Sequence, residues 1–170
     1  MKNANSKTIR ITQLALLFTL AIILSFLESL IPLPSFLVGV KLGLSNIVTM
    51  YCLFYLGKRY AFCLAVLKGL FAFLTRGPIA GLMSLSGGVV SIIAMIICII
   101  LFKDKISLMM ISVVGGVLHN ISQLAVSCII TQSLYSLYYF PVLLLSGTAA
   151  GILTGIILKI AMPALKRIKS

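Results

Sequence analysis

The sequence predicts an all-α integral membrane protein: a compact bundle of six transmembrane helices with both termini in the cytoplasm. Three observations predict it. The 170 residues are 61% hydrophobic and only 9% charged, against roughly 45–50% and about 25% in an ordinary soluble domain. Mean hydropathy is +1.23, and a soluble globule of this size cannot bury so much apolar surface and still coat itself with polar groups. The basic residues fall on alternate loops between the apolar runs, the pattern of a multi-pass protein of the cell membrane. A cytosolic enzyme domain, a disordered tail and a disulfide-stapled secreted scaffold are excluded on composition alone.

The expected helices cover about 10–31, 37–57, 59–75, 77–102, 106–131 and 137–163. A helix needs about 20 residues to cross a hydrocarbon core of roughly 30 Å, and backbone in lipid must satisfy its own hydrogen bonds, which favours helices over lone strands. The first and the last three runs have the length outright. The second reaches it only by joining residues 36–40 to the run from Leu42, and the third is interrupted by Lys68. Between the first two helices, Pro32, Pro34 and Gly39 end the first and allow an extended or re-entrant turn. The basic start and apolar stretch read as a retained first helix, because the stretch is too long for a signal peptide and no small-residue cleavage site follows it.

Charge placement sets the direction. Eleven basic residues, Lys2, Lys7, Arg10, Lys58, Arg59, Lys103, Lys105, Lys159, Lys166, Arg167 and Lys169, lie on one side of a six-span arrangement. Lys41 and Arg76 lie on the other, and Lys68 is inside a span. The positive-inside rule makes the crowded side cytoplasmic. The net charge of +12 is therefore mainly topology and headgroup contact, and no nucleic-acid partner is expected, since no basic face interleaved with aromatics occurs.

Few residues carry chemistry. Cys52, Cys63, Cys98 and Cys128 sit in apolar runs without a C-x-x-C pair, and His119 is the lone histidine. They read as small core residues, with no metal site and no cofactor expected. No phosphate-binding G-x-x-x-x-G-K-[ST] loop occurs, so ATP-driven work would need a separate ATPase. Gly147, Gly151 and Gly155 recur every four residues in the last span; such a face packs either within the bundle or against a partner helix. Ala15, Thr19, Ala21 and Ser25 in the first span are read as a docking face for a coupling subunit.

An ionisable or amide group inside a span marks a functional site by default. His119 and Gln123 are four residues apart and share a helix face; Asn120 and Gln123 are three apart, and Gly115-Gly116 clears room one turn earlier. The trio is either an interhelical clamp or one wall of a substrate site. Lys68 either lines a cavity or snorkels to the interface. Lys41 and Arg76 either form a cationic mouth for an anionic solute or serve as partners of Glu28 and as interface anchors. Asn46 sits beside Lys41 at the start of the second helix. Ser84 and Ser86, with Gly87-Gly88, are expected to open the fourth helix, where free N–H groups suit a carboxylate or phosphate. Ser86 with His119 also suggests a serine–histidine dyad, although Ser84 occupies the first position of a G-x-S-G pattern. The expected substrate-binding set is Lys41, Asn46, Arg76, Ser84, Ser86, His119, Asn120 and Gln123.

These segments carry a resemblance. Gly39-Val40-Lys41-Leu42-Gly43-Leu44-Ser45-Asn46-Ile47, Ser84-Leu85-Ser86-Gly87-Gly88, residues 115–124 and the glycines from Gly147 to Gly155 together resemble the Gx transporter family, also labelled heptaprenyl diphosphate synthase component I. That family is similar to the substrate-binding S components of energy-coupling-factor vitamin transporters. The resemblance implies a six-helix membrane protein that binds a small anionic or aromatic solute (flavin-, vitamin- or isoprenoid-related) and works with a transmembrane coupling protein and ATPases. The synthase label implies an accessory membrane subunit of isoprenoid synthesis. Catalytic prenyl transfer of the familiar kind uses clustered aspartates to hold Mg²⁺. This chain has only Asp104 and Glu28, at opposite faces, so no enzymatic activity of its own is expected.

Overall fold

The computed structural model describes residues 2–30 and 43–169. Among them the chain is helical throughout its regular structure: α1 (Lys2–Leu30), α2 (Leu44–Tyr55), α3 (Lys58–Arg76), α4 (Pro78–Phe102), α5 (Leu108–Thr131) and α6 (Phe140–Lys169). Short 3₁₀ turns over Lys103–Lys105 and Leu134–Tyr139 lead into α5 and α6. Four segments are long and apolar enough to cross a membrane: Lys7–Glu28, Pro78–Phe102, Leu108–Thr131 and Leu137–Ile160.

The second helix departs most from expectation. The anticipated span 37–57 is broken at Gly43, whose φ of 71° is left-handed and favours a residue without a Cβ. The helix proper begins at Leu44 and runs 12 residues, about 18 Å, well short of a bilayer. Residues 36–42, which were to complete it, lie outside the described residues. The third helix has 19 residues but carries Lys58, Arg59, Lys68 and Arg76, and it does not join the four apolar spans. Gly77, at φ 91°, turns the chain between α3 and α4 as C-cap of one and N-cap of the other. Pro78 at the first position of α4 costs nothing there, since that N–H has no intrahelical partner. Ser107 caps α5 by accepting from the Met110 N–H at 3.2 Å, so that helix starts two residues later than expected.

Neighbouring helices run antiparallel. Gly69 and Gly81 of α3 and α4 lie against Leu85 and Phe73; Gly87 and Gly115 bring α4 to His119 and α5 to Met95. Along α6, Gly147, Gly151 and Gly155 meet Gly116, Val113 and Met109 in turn. The glycine face of α6 therefore packs within the bundle, on α5, the first of the two readings open to it. A Cβ on Gly151 would stand 2.5 Å from Val113 Cα, so the two backbones are in contact. Polar ties also link helices: Ser91 Oγ donates to Gly115 O at 2.8 Å across the α4–α5 seam, and Ser112 Oγ on α5 lies 3.0 Å from Met50 Sδ on α2. The core gathers Ala21, Met50, Cys52, Leu64, Ile92 and Leu158 beneath these contacts. Outward, Leu74 is 83% and Ile129 75% exposed; large apolar residues turned away from the core suit a lipid environment.

Candidate functional site

A polar cleft opens between α1, α2, α3, α4 and α5, at the end of the bundle holding the C-terminus of α1 and the N-terminus of α2. Its walls include Ser25 and Glu28 from α1, Ser45 and Asn46 from α2, and Lys68, Phe71 and Arg76 from α3. Ser84 comes from α4, and His119, Asn120 and Gln123 from α5. The space between them is about 40 Å³, room for about three waters.

Lys68 turns inward across the bundle. Its Nζ donates to Thr49 Oγ1 at 3.0 Å, to Ser45 O at 3.1 Å and to Asn46 Oδ1 at 3.4 Å. An ammonium group inside a span is costly unless polar groups surround it, and the first turn of α2 supplies them. Lys68 thus lines the cleft rather than snorkelling. The same turn carries the opposite charge at its N-terminus: Gly43 N–H donates to Glu28 Oε1 at 2.7 Å. A carboxylate there complements both the orphan N–H and the positive end of the helix dipole. Glu28 is 8% exposed.

Arg76, the last residue of α3, reaches back to α1, where Nη2 donates to Ser25 Oγ at 2.9 Å. Among the described residues Arg76 meets Ser25, while the Glu28 carboxylate receives Gly43; the arginine–glutamate pairing is not formed. On α5, Asn120 Nδ2 donates to Leu143 O at 3.0 Å and to Ser146 Oγ at 3.1 Å, both on α6. Asn120 is therefore a clamp and a cleft wall at once. Gln123 Nε2 lies 3.0 Å from His119 Nε2. With the amide nitrogen as donor, Nε2 accepts and the ring proton sits on Nδ1. The imidazole packs against α4, where a Cβ on Gly87 would fall 2.8 Å from its Cε1 and Nδ1.

Of the eight residues expected at the site, six line this cleft: Asn46, Arg76, Ser84, His119, Asn120 and Gln123. Lys41 lies outside the described residues. Ser86 is not a wall of the cleft; its hydroxyl donates to Met83 O at 3.1 Å within its own helix, and the dyad with His119 does not form. The idea that Ser84–Gly88 open the fourth helix is also corrected. That helix starts at Pro78, which puts these residues in its second and third turns, where backbone N–H groups are already bonded. The proposed docking face on α1 splits in two. Ala15 and Thr19 are exposed, but Ala21 is fully buried and Ser25 faces the cleft, because α1 turns about 100° per residue.

Ala21, Ile22, Ser25, Glu28, Gly43, Ser45, Lys68 and Phe71 complete the walls without having been in the expected set. Lys68 carried the clearest signal, a lysine inside an apolar run. Glu28 was legible as one of only two acids. Ser25, Ser45 and Phe71 carried none, since serine and phenylalanine are common in such helices. The four cysteines are free thiols, and none of them lines the cleft.

Chemically, the cleft offers an ammonium and a guanidinium, amide and hydroxyl donors, and one carboxylate already engaged by a backbone N–H. Such donors have the chemistry to hydrogen-bond a compact anion. No curated protein and no solved structure matches the chain. The family model described as heptaprenyl diphosphate synthase component I matches residues 17–161, a stretch that contains every wall of the cleft, and the chain belongs to that family.

Proposed function

We propose that the protein is a solute-binding component of the cell membrane that takes an anionic group into the cleft, in the manner of an S component, and works with a separate coupling module and ATPases. The observation that carries this reading is the convergence of Lys68 and Arg76 with Asn46, Asn120 and Gln123 around one space between helices. An intramembrane charge such as that of Lys68 is expensive and marks a ligand path or site. Both termini are cytoplasmic in this reading, on the strength of the eleven basic residues at that side. The protein binds rather than catalyses: its two acids are Glu28, at the cleft, and Asp104, in the Lys103–Lys105 turn at the other end, which gives no paired carboxylates for Mg²⁺. The small size of the space favours the charged part of a ligand over a whole flavin.

The family description supports a second reading, an accessory membrane subunit of heptaprenyl diphosphate synthesis. A component I implies a second component as partner. Both readings place an anion in the cleft, and they differ in what co-purifies: a coupling protein with ATPases, or a soluble prenyl transferase.

The test is calorimetric titration of the protein in nanodiscs with inorganic diphosphate. Lys68→Met and Arg76→Ala should each weaken binding by about tenfold or more, the scale of a lost charge-assisted hydrogen bond of about 1.5–3 kcal/mol. Arg76 is exposed, so its variant tests the site even where loss of the Lys68 ties between α2 and α3 lowers stability. Binding that is indifferent to both changes would remove the assignment.

A further inference from the structure

We infer that the cleft takes up its anion together with a proton, and that His119 is the group that holds the proton. This rests on the anion-binding reading above and specifies how that binding answers to pH. His119 is the sole histidine of the chain, the residue type whose ordinary charge change falls between about pH 5 and 8. It lines the same space of about 40 Å³ as Lys68 and Arg76, so an anion lodged there is shared among the three walls.

The other charged walls leave that role to His119. Among the described residues they are Glu28 on α1 and Lys68 and Arg76 on α3. Glu28 is engaged as the acceptor of the Gly43 N–H at 2.7 Å. Lys68 Nζ donates to three oxygens, which takes a full ammonium, and an arginine does not lose its proton. The other elements add no titratable wall among the described residues. α4 presents Ser84 to the cleft and Gly87 to the ring, and α2 presents Ser45 and Asn46. α6 meets the adjoining Asn120 through Leu143 and Ser146, and the Leu134–Tyr139 turn supplies no wall.

The ring also has a partner that suits both of its states. In the neutral ring Nε2 accepts from Gln123 Nε2 at 3.0 Å. Once Nε2 carries a proton it donates instead, and the Gln123 amide, turned over, offers Oε1 in place of its nitrogen. The ring keeps its place through this exchange, because α4 stands against Cε1 and Nδ1 at Gly87. One N–H bond forms at Nε2, with the proton drawn from water. Before the anion enters, Lys68 and Arg76 oppose a third positive charge; once it is bound, its negative charge offsets that opposition.

The experiment uses the single imidazole as the reporter. Protein carrying isotope-labelled histidine, purified without a histidine tag, is placed in nanodiscs. Its ring nitrogen resonances are followed with and without saturating inorganic diphosphate from about pH 6 to about pH 8. Near neutral pH the free protein should show a neutral ring with its proton on Nδ1, and the diphosphate complex an imidazolium. Diphosphate affinity in the wild type, divided by that in His119→Gln, should fall by about tenfold per pH unit where the ring loses its proton, the slope of one linked proton. The ratio cancels the ligand's own titration. A ring whose protonation is the same with and without bound diphosphate, or an affinity ratio that does not change with pH, overturns the proton assignment. Lys68-dependent binding of diphosphate would then leave the anion reading standing. No binding of diphosphate by the wild type at any pH in this range overturns both.

Discussion

The seam between α5 and α6 and the cleft between α1, α2, α3, α4 and α5 treat polar groups in opposite ways. At the seam, glycines let the backbones touch, and Asn120 is spent across it on Leu143 O and Ser146, as Ser91 is spent on Gly115 O across the next seam. Lipid supplies no hydrophobic force to drive helices together, so close packing and such bonds must do it. At the cleft, larger polar side chains hold the helices apart. Lys68 spans from α3 to the short α2, Glu28 from α1 to Gly43, and Arg76 from α3 back to Ser25. The difference teaches where a ligand can act. Along the seam the backbones meet, and the space lined by Gly116, Ala150 and Thr154 is only about 20 Å³. The cleft has charge, donors and room, and it sits beside the N-terminus of α2.

That contrast can be broken from either side. The largest effect is expected at Gly151, where a side chain would meet the backbone of α5 at 2.5 Å. Gly151→Val should lower unfolding free energy by about 2–3 kcal/mol through overpacking, measured by denaturant titration in detergent; an unchanged midpoint would show that the seam is looser than its geometry. Next is Glu28→Gln, which removes the charge facing the α2 N-terminus. Stability should fall by about 1 kcal/mol, in keeping with a dipole and hydrogen-bond contribution. Diphosphate affinity should hold or rise, since a competing negative charge is gone; a loss of affinity would mean that Glu28 shapes the site directly. Ser91→Ala should cost about 0.6 kcal/mol, the average for interhelical hydrogen bonds in membranes, without altering ligand binding. The smallest effect is expected from Ala15→Leu on the exposed face of α1, within about 0.5 kcal/mol. Its readout is co-purification: retention of a coupling subunit despite the added bulk would exclude this remaining part of the predicted docking face.

Much of the helix pattern was legible because an apolar run of sufficient length has few alternatives in lipid. Helices α4 and α5 lie within two residues of their expected ranges. The second helix was misread because its apolar run continues through Gly43, and hydropathy does not register a left-handed φ. Six residues of the candidate site were legible as polar interruptions of apolar helices. Ser86 was not separable from Ser84 by type; two residues on a helix are about 200° apart, and only one of them faces the cleft. Ser25 was misassigned for the same reason, since a small residue suits a docking face and a cleft wall equally.

By itself, then, the sequence determined that the chain is helical, suited to lipid and polarised in charge, because composition and run length control transfer of a segment into hydrocarbon. It also limited the carboxylate side chains to two, Glu28 and Asp104. Only the tertiary structure decided which polar residues meet. In helices that are apolar on most faces, periodicity does not fix rotation about the axis. Rotation is set instead by glycine contacts such as Gly116 with Gly147 and by ties such as Lys68 to Ser45 and Thr49, each made by residues far apart in the chain.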